Sequence, residues 1–422
     1  MGIDSAIASV SARQVHSDRG HPGVEATVRT ADGAVGVAVC TAGTSVGAHE
    51  VEFAYDGGER WGGKGVTIAA RSVDQIIAPA IRGMDASRQR EVDEAILALA
   101  ARLPGGLGGN AVGAVSAAVL KAGAASLGIP LYQHIGGVNA SILPTPGVLT
   151  AWGARRYGGG DHSGTKPTYS MVCHGFPSFS EASYAAWDVS TEFTQLCRKR
   201  FGLDERRYSA VYFPRGYIQH DRELWALLTE AIERRGYVGQ VGLQVDVAAG
   251  TYYDKARELY FGLFSDEPKT RDDLARLYEE MTADYPFLII EDPLDEDDYD
   301  GHAALTSSLN VEIVGDDLFT TNADRLLKGI GVGAATTMLL KVYQIGTITQ
   351  AFDAVRLAYK HGYGVMPCDS RGEGADIADY SVGLSTGHLR EGAIGPTGNR
   401  FLAIEAELGT RGTFAGRSGL TR

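Results

Sequence analysis

Apolar runs in the second half of the chain end on charged residues at a regular interval. Val241-Gly242-Leu243-Gln244-Val245 ends in Asp246, Phe287-Leu288-Ile289-Ile290 in Glu291, Val311-Glu312-Ile313-Val314-Gly315 in Asp316, and Thr337-Met338-Leu339-Leu340 in Lys341. Tyr363-Gly364-Val365-Met366 is followed shortly by Asp369 and Arg371. Glu291, Asp316 and Lys341 succeed one another every 25 positions, and Asp369 comes 28 later. One βα unit of an eight-fold barrel takes about 30 residues when roughly 250 are shared among eight. Charged groups at that repeat, each at the carboxyl end of an apolar strand, converge on the face where barrel enzymes hold their sites. The longer gap between Asp246 and Glu291 predicts an inserted loop over 255–270.

The rest of the chain predicts a companion domain. Val24 to Thr30 and Ala34 to Val39 read as strands around the turn Ala31-Asp32-Gly33. Helical periodicity follows over Val66–Ile81, Arg88–Ala101 and the Ala-rich stretch Asn110–Leu127, whose small residues suit close packing. Strands followed by helices predict an α+β domain over 1–140 and a barrel over 141–422, joined near Leu143-Pro144-Thr145-Pro146. The 422 residues, 44% of them hydrophobic, suffice for both cores.

Charge narrows the partners. The formal net charge of −13 argues against nucleic acid or an anionic membrane surface, both of which demand clustered Lys and Arg. A small anionic substrate remains compatible, because a site needs only a few cations and a metal. Cys40, Cys173, Cys197 and Cys368 are scattered without a CxxC pair, a reduced, cytoplasmic pattern. No apolar run is expected to span a membrane, and no basic region precedes an apolar stretch near the start.

Asp246, Glu291 and Asp316 make an oxygen-only set that suits Mg²⁺ or Mn²⁺ rather than zinc or copper. Three like charges in one low-dielectric pocket repel, and a bound cation stabilises them. Lys341, one strand further, is expected to have its pKa lowered by burial and by that cation, which makes it a competent general base. The run Asp295 to Asp298 reads as a solvated rim. His162, in Gly158-Gly159-Gly160-Asp161-His162-Ser163-Gly164, and Ser45, in Ala42-Gly43-Thr44-Ser45-Val46-Gly47, sit in flexible loops of small residues. By composition alone such loops are turns or covers for a substrate.

At this point the residues resemble a known family. From Ser17-Asp18-Arg19-Gly20-His21-Pro22 to Ile404-Glu405-Ala406-Glu407-Leu408-Gly409 the chain is similar to the enolases. The most specific stretches are Gly63-Lys64-Gly65-Val66, Lys121-Ala122-Gly123-Ala124-Ala125, Ile290-Glu291-Asp292-Pro293, Val314-Gly315-Asp316-Asp317-Leu318 and Leu340-Lys341-Val342-Tyr343-Gln344-Ile345-Gly346. The resemblance implies an α/β fold with a modified (β/α)8 TIM-type barrel, a smaller N-terminal α+β domain and a homodimer. It places Mg²⁺ on Asp246, Glu291 and Asp316, the proton-abstracting base on Lys341, a substrate contact on His162 and a second-metal contact on Ser45. Arg19 and Glu405 are its candidates for a pair across a subunit boundary.

The departures from the family pattern shape the expected function. A Gln-Glu pair normally follows the loop histidine; here Lys166 leads into Pro167-Thr168-Tyr169-Ser170-Met171. The family's Gly-Asp-Glu-Gly-Gly motif, which carries an acid for the leaving hydroxide, is replaced by Ser209-Ala210-Val211-Tyr212-Phe213. Its His-Arg-Ser phosphate grip reads Asp369-Ser370-Arg371, and its later substrate-contacting lysine is Arg390. Ser370, Arg371 and Arg390 are therefore the expected substrate cations and their neighbour, Arg371 forking onto an anion from a shifted position. Metal and base are kept while acid and phosphate grip are rebuilt.

The leading expectation is formation of a metal-stabilised enediolate from a phosphorylated or phosphonylated acid like 2-phosphoglycerate. The enzyme expected is of the carboxyphosphonoenolpyruvate synthase kind, from phosphonate antibiotic biosynthesis. The alternatives are an aberrant enolase (a phosphopyruvate hydratase) with Tyr169, Tyr212 or water as acid, and a non-catalytic metal-binding scaffold.

Overall fold

The computed structural model describes residues 4–17, 20–43, 46–203, 206–207 and 209–422, with side chains throughout except at 206–207. Strands β1 (Ile7–His16), β2 (Pro22–Thr30) and β3 (Val35–Thr41) form an antiparallel sheet in the order 1-2-3. Thr30, Ala31 and Asp32 turn the chain from β2 to β3, the Thr30 amide bonding the Ala34 carbonyl at 3.0 Å. One face of this sheet packs on the helix Gly109–Leu127. The approach is close enough that a Cβ at Gly36 would overlap the Ala118 carbonyl, so glycine is required there. That helix has 19 residues and by length and composition alone could cross a membrane, but most of it is buried within the protein. Its apolar surface serves helix-on-sheet packing.

The barrel strands follow: β4 (Thr145–Trp152), β5 (Thr168–Cys173), β6 (Val241–Asp246), β7 (Phe287–Glu291), β8 (Glu312–Gly315), β9 (Thr337–Leu340), β10 (Gly364–Pro367) and β11 (His388–Leu389). Neighbours pair in chain order from β4 to β10, β11 pairs with β4, and the Arg390 amide reaches the Pro367 carbonyl at 3.2 Å to close the ring. The repeat read from the sequence treats every strand as parallel. The structure runs β5 antiparallel to both β4 and β6. A hairpin-like return from β4 to β5 replaces the usual crossover helix, because only the loop 153–167 joins them.

The expected insertion over 255–270 is a small hairpin, Tyr253–Asp254 against Leu259–Tyr260. The acidic run is not simply a solvated rim. Asp295 is buried, and Asp298 caps the helix Tyr299–Ser308 by accepting the Gly301 amide at 2.9 Å. Glu405 accepts the amides of Phe179 and Ser180 at 2.8 and 3.2 Å, holding the first turn of the helix Phe179–Phe201, while Arg19 lies outside the described residues.

Candidate active site

Register aligns the acids. Glu291 on β7 stands beside Asp246 on β6, and β8 next to β7 leads directly into Asp316. Each is the residue at which an apolar strand gives way to a loop, so each carboxylate lies at the same mouth of the barrel, and all three are buried. Oxygens of Glu291, Asp292 and Asp316 lie within 4.8 Å of one another. Asp292 is the member that the sequence reading missed. Its carboxylate accepts the backbone amides of Asp316, Asp317 and Leu318 at 3.0, 2.7 and 3.4 Å, so it braces the loop that presents Asp316. The signal was the Glu291-Asp292-Pro293 motif, read only for its glutamate.

Asp246 is drawn toward the cations. Lys166 and Arg390 both pair with one of its oxygens, and Arg390 also reaches Glu291 at 2.9 Å and the Thr168 hydroxyl at 3.1 Å. The set still fits a divalent cation. All donors are oxygens, and Glu291 Oε1 is buried with no hydrogen-bond partner, as is Gln244 Oε1 beside it. Burial pushes the Glu291 carboxyl up, against the pull of Arg390. Burial acts on Asp316 in the same sense, but the Lys341 ammonium outweighs it and holds that carboxyl at about 2.

Lys341 meets the expected position but not the expected pKa. It is buried just past β9 with its ammonium on Asp316, and its amide donates to the Thr321 hydroxyl at 3.2 Å. Burial pulls it down, yet direct pairing with Asp316 wins and its pKa is raised. Gln344 completes the setting, donating to Asp316 at 2.9 Å and accepting from Thr321 at 2.9 Å. Lys166, not singled out as a site residue, is pulled down to about 8 by burial first and then by Arg390.

The remaining predicted residues fall around this centre. Arg371 is 2% exposed, and its guanidinium forks onto Glu50, from the N-terminal domain, at 3.1 and 2.5 Å. The fork expected for a substrate anion is thus turned onto an internal carboxylate. Ser370 lies beside it, its hydroxyl accepting from Arg371 at 3.3 Å and its amide donating to Glu373 at 3.1 Å. His162 is exposed on its turn, and among the described residues none hydrogen-bonds to it. Ser45 lies outside the described residues. Tyr212 is 40% exposed and packs on Trp152, while Tyr169 is fully buried and donates to Asp221 at 2.6 Å. Neither tyrosine bonds the carboxylate cluster.

Residues 7–135 match the family described as "Enolase, N-terminal domain", and residues 156–422 match "Enolase, C-terminal TIM barrel domain". The chain belongs to the enolase family. It is 40% identical to "Enolase" of Methanopyrus kandleri, with 98% of each chain covered. It is 38% identical to "Enolase" of Methanococcus aeolicus, with 96% of each covered, and 37% identical to "Enolase" of Methanocaldococcus jannaschii, with 98% of this chain and 97% of the relative covered. It is therefore an enolase-superfamily enzyme of the lyase class, with the TIM-type barrel that the strand-end repeat predicted.

Proposed function

We propose that the enzyme abstracts the α-proton of 2-phosphoglycerate and interconverts that acid with phosphoenolpyruvate. The observation that carries this reading is Lys341, buried past β9 and ion-paired to Asp316, whose oxygens cluster with those of Glu291. A lysine held there takes a proton at Nζ from the carbon next to a bound carboxylate. Asp246, Glu291 and Asp316 are the residues that would hold Mg²⁺, with Mn²⁺ the alternative. When bound, the cation takes up carboxylate charge that now keeps Lys341 protonated and stabilises the enediolate. Thr321 and Gln344 fix the base and Asp316 relative to each other, and Asp292 fixes the loop between β8 and the helix that follows. Relatives named Enolase, matched over nearly the full chain, support this substrate ahead of the phosphonate-forming synthase expected from the departures.

The synthase reading stands second, favoured by Lys166 and Arg390 converging on Asp246. Retention of the buried base weighs against a scaffold. Four free, buried cysteines suit the cytoplasm, and the family resemblance is the support for a homodimer.

Proton and phosphorus NMR of the protein with Mg²⁺ and 2-phosphoglycerate in D₂O tests the reading. Conversion to phosphoenolpyruvate supports the hydratase. Deuterium entering C2 without dehydration supports the base and shifts the substrate to the second reading. No exchange with any phosphoglycerate-like or phosphonylated acid overturns both.

A further inference from the structure

Lys166 has no part in the reaction as described, yet the chain builds it in with care. It ends the loop ahead of β5 and is only 8% exposed. A rim lysine ordinarily packs its stem and leaves its ammonium in water. Here the backbone around it is clamped on both sides: the Lys166 amide bonds the Ser163 carbonyl at 3.1 Å, and its carbonyl accepts the Tyr252 hydroxyl at 2.5 Å. The Pro167 carbonyl accepts from both Arg156 Nη atoms at 3.2 and 3.3 Å, and Arg156 is itself gripped by Asp221 at 3.1 and 2.6 Å. The result is a buried ammonium delivered to a fixed place.

Its partner there is over-supplied. Lys166 and Arg390 both address the same oxygen of Asp246. Arg390 also reaches Glu291 at 2.9 Å, whereas Asp246 is the one ion-pair partner of Lys166 among the described residues, and a divalent ion on the acids would compete with Lys166 for that oxygen. A buried ammonium without an anion is strongly disfavoured. We propose that Lys166, with Arg390, binds an anionic group of the substrate, and is the residue that selects a polyanionic acid over a simple carboxylate. The assignment rests on the enediolate reading above for its choice of substrate class.

The test is calorimetric binding of phosphonoacetate, of acetate and of Mg²⁺ alone to the full chain, in wild type, Lys166→Met and Lys166→Arg. Phosphonoacetate and acetate are titrated in excess Mg²⁺. Loss of a charge-assisted bond predicts phosphonoacetate binding weaker by about 10–100-fold in Lys166→Met, partly restored in Lys166→Arg. Wild type should prefer phosphonoacetate to acetate, and Mg²⁺ should bind the Met variant as tightly as wild type or more so. Equal phosphonoacetate affinity in wild type and Lys166→Met, or none in either, overturns the proposal. So does loss of Mg²⁺ binding in the variant, which would make Lys166 a support for the acids. Lys166→Gln replaces the Met variant if that chain fails to fold. Exchange of the α-proton of 2-phosphoglycerate by wild type is read separately; its absence overturns the reaction assigned above and leaves the Lys166 measurement standing.

Discussion

Replacing Tyr169 by Phe separates two roles that the sequence allowed for it. As a stand-in acid, Tyr169 would face the reacting atoms; in the structure its hydroxyl is enclosed in a buried network away from them. It donates to Asp221 at 2.6 Å and accepts from Trp225 Nε1 at 2.9 Å, while Asp221 also holds Arg156 and Tyr157. Burial first and the Asp221 charge second drive its pKa well above that of a free tyrosine, so it is a poor proton donor. Losing the bond to a charged partner costs about 1.5–3 kcal/mol, and stranding the indole N–H about 1–3 kcal/mol. These terms share the Tyr169 hydroxyl and do not simply add. The expected loss is about 2–4 kcal/mol in urea unfolding, with α-proton exchange and dehydration changed by less than about threefold. A variant that keeps wild-type stability but loses dehydration by about 100-fold or more would refute the placement, since that is the signature of a general acid.

Three further outcomes follow from the same geometry. Lys341→Ala should slow exchange of the substrate α-proton with D₂O by at least about 100-fold, the contribution of a positioned base, and unchanged exchange by NMR would remove Lys341 from that role. Glu291→Gln should weaken Mn²⁺ binding, followed by electron paramagnetic resonance, by about tenfold or more, and chelation by EDTA should stop exchange in wild type; full exchange in EDTA would exclude a metal-dependent base. His302, fully buried, is pulled down to about 4 by burial, opposed only by its bond to the Asp298 carbonyl and that residue's charge. Its folded pKa lies below the unfolded one, so its contribution is complete above about 6.5 and is lost as pH falls toward 4, amounting to about 2 kcal/mol by pH 5. His302→Gln should lessen the drop in urea-unfolding stability between pH 7 and pH 5 by that amount, and parallel drops would show that His302 is not the group responsible.

What was legible in the sequence is what periodicity encodes. Charged strand ends located Asp246, Glu291, Asp316 and Lys341, the last three at 25-residue spacing, because an apolar strand that stops on a charge must stop where water or a ligand begins. The antiparallel β5 was not legible: Thr168–Cys173 is buried on both faces like the parallel strands of the barrel, so its composition carries no direction. Asp292 was passed over, because a carboxylate that caps backbone amides has the same letter as one that binds metal. Arg371 was read as a fork for a substrate anion; only the fold brings Glu50, 321 positions away, into its grip. Lys166 was seen merely as the start of a departure, since burial of a loop lysine depends on Tyr252, Arg156 and Asp221, which lie on separate elements.

The two sides of the barrel mouth now carry different lessons. On the Lys341 side, Asp316, Gln344 and Thr321 form a closed set in which each polar atom has a partner, so the lysine is held in place. On the Asp246 side the partners are mismatched: two cations crowd one oxygen, while Glu291 Oε1 and Gln244 Oε1 have none. A closed set resists change of ligand, because any new group must break a satisfied bond. A mismatched set invites both a cation, onto the orphaned oxygens, and an anion, onto the crowded ammonium and guanidinium. On the proposed reading, proton abstraction belongs to the Lys341 side, and the identity of the acid is decided across the mouth, between Lys166, Arg390 and the anion that displaces Asp246 from them.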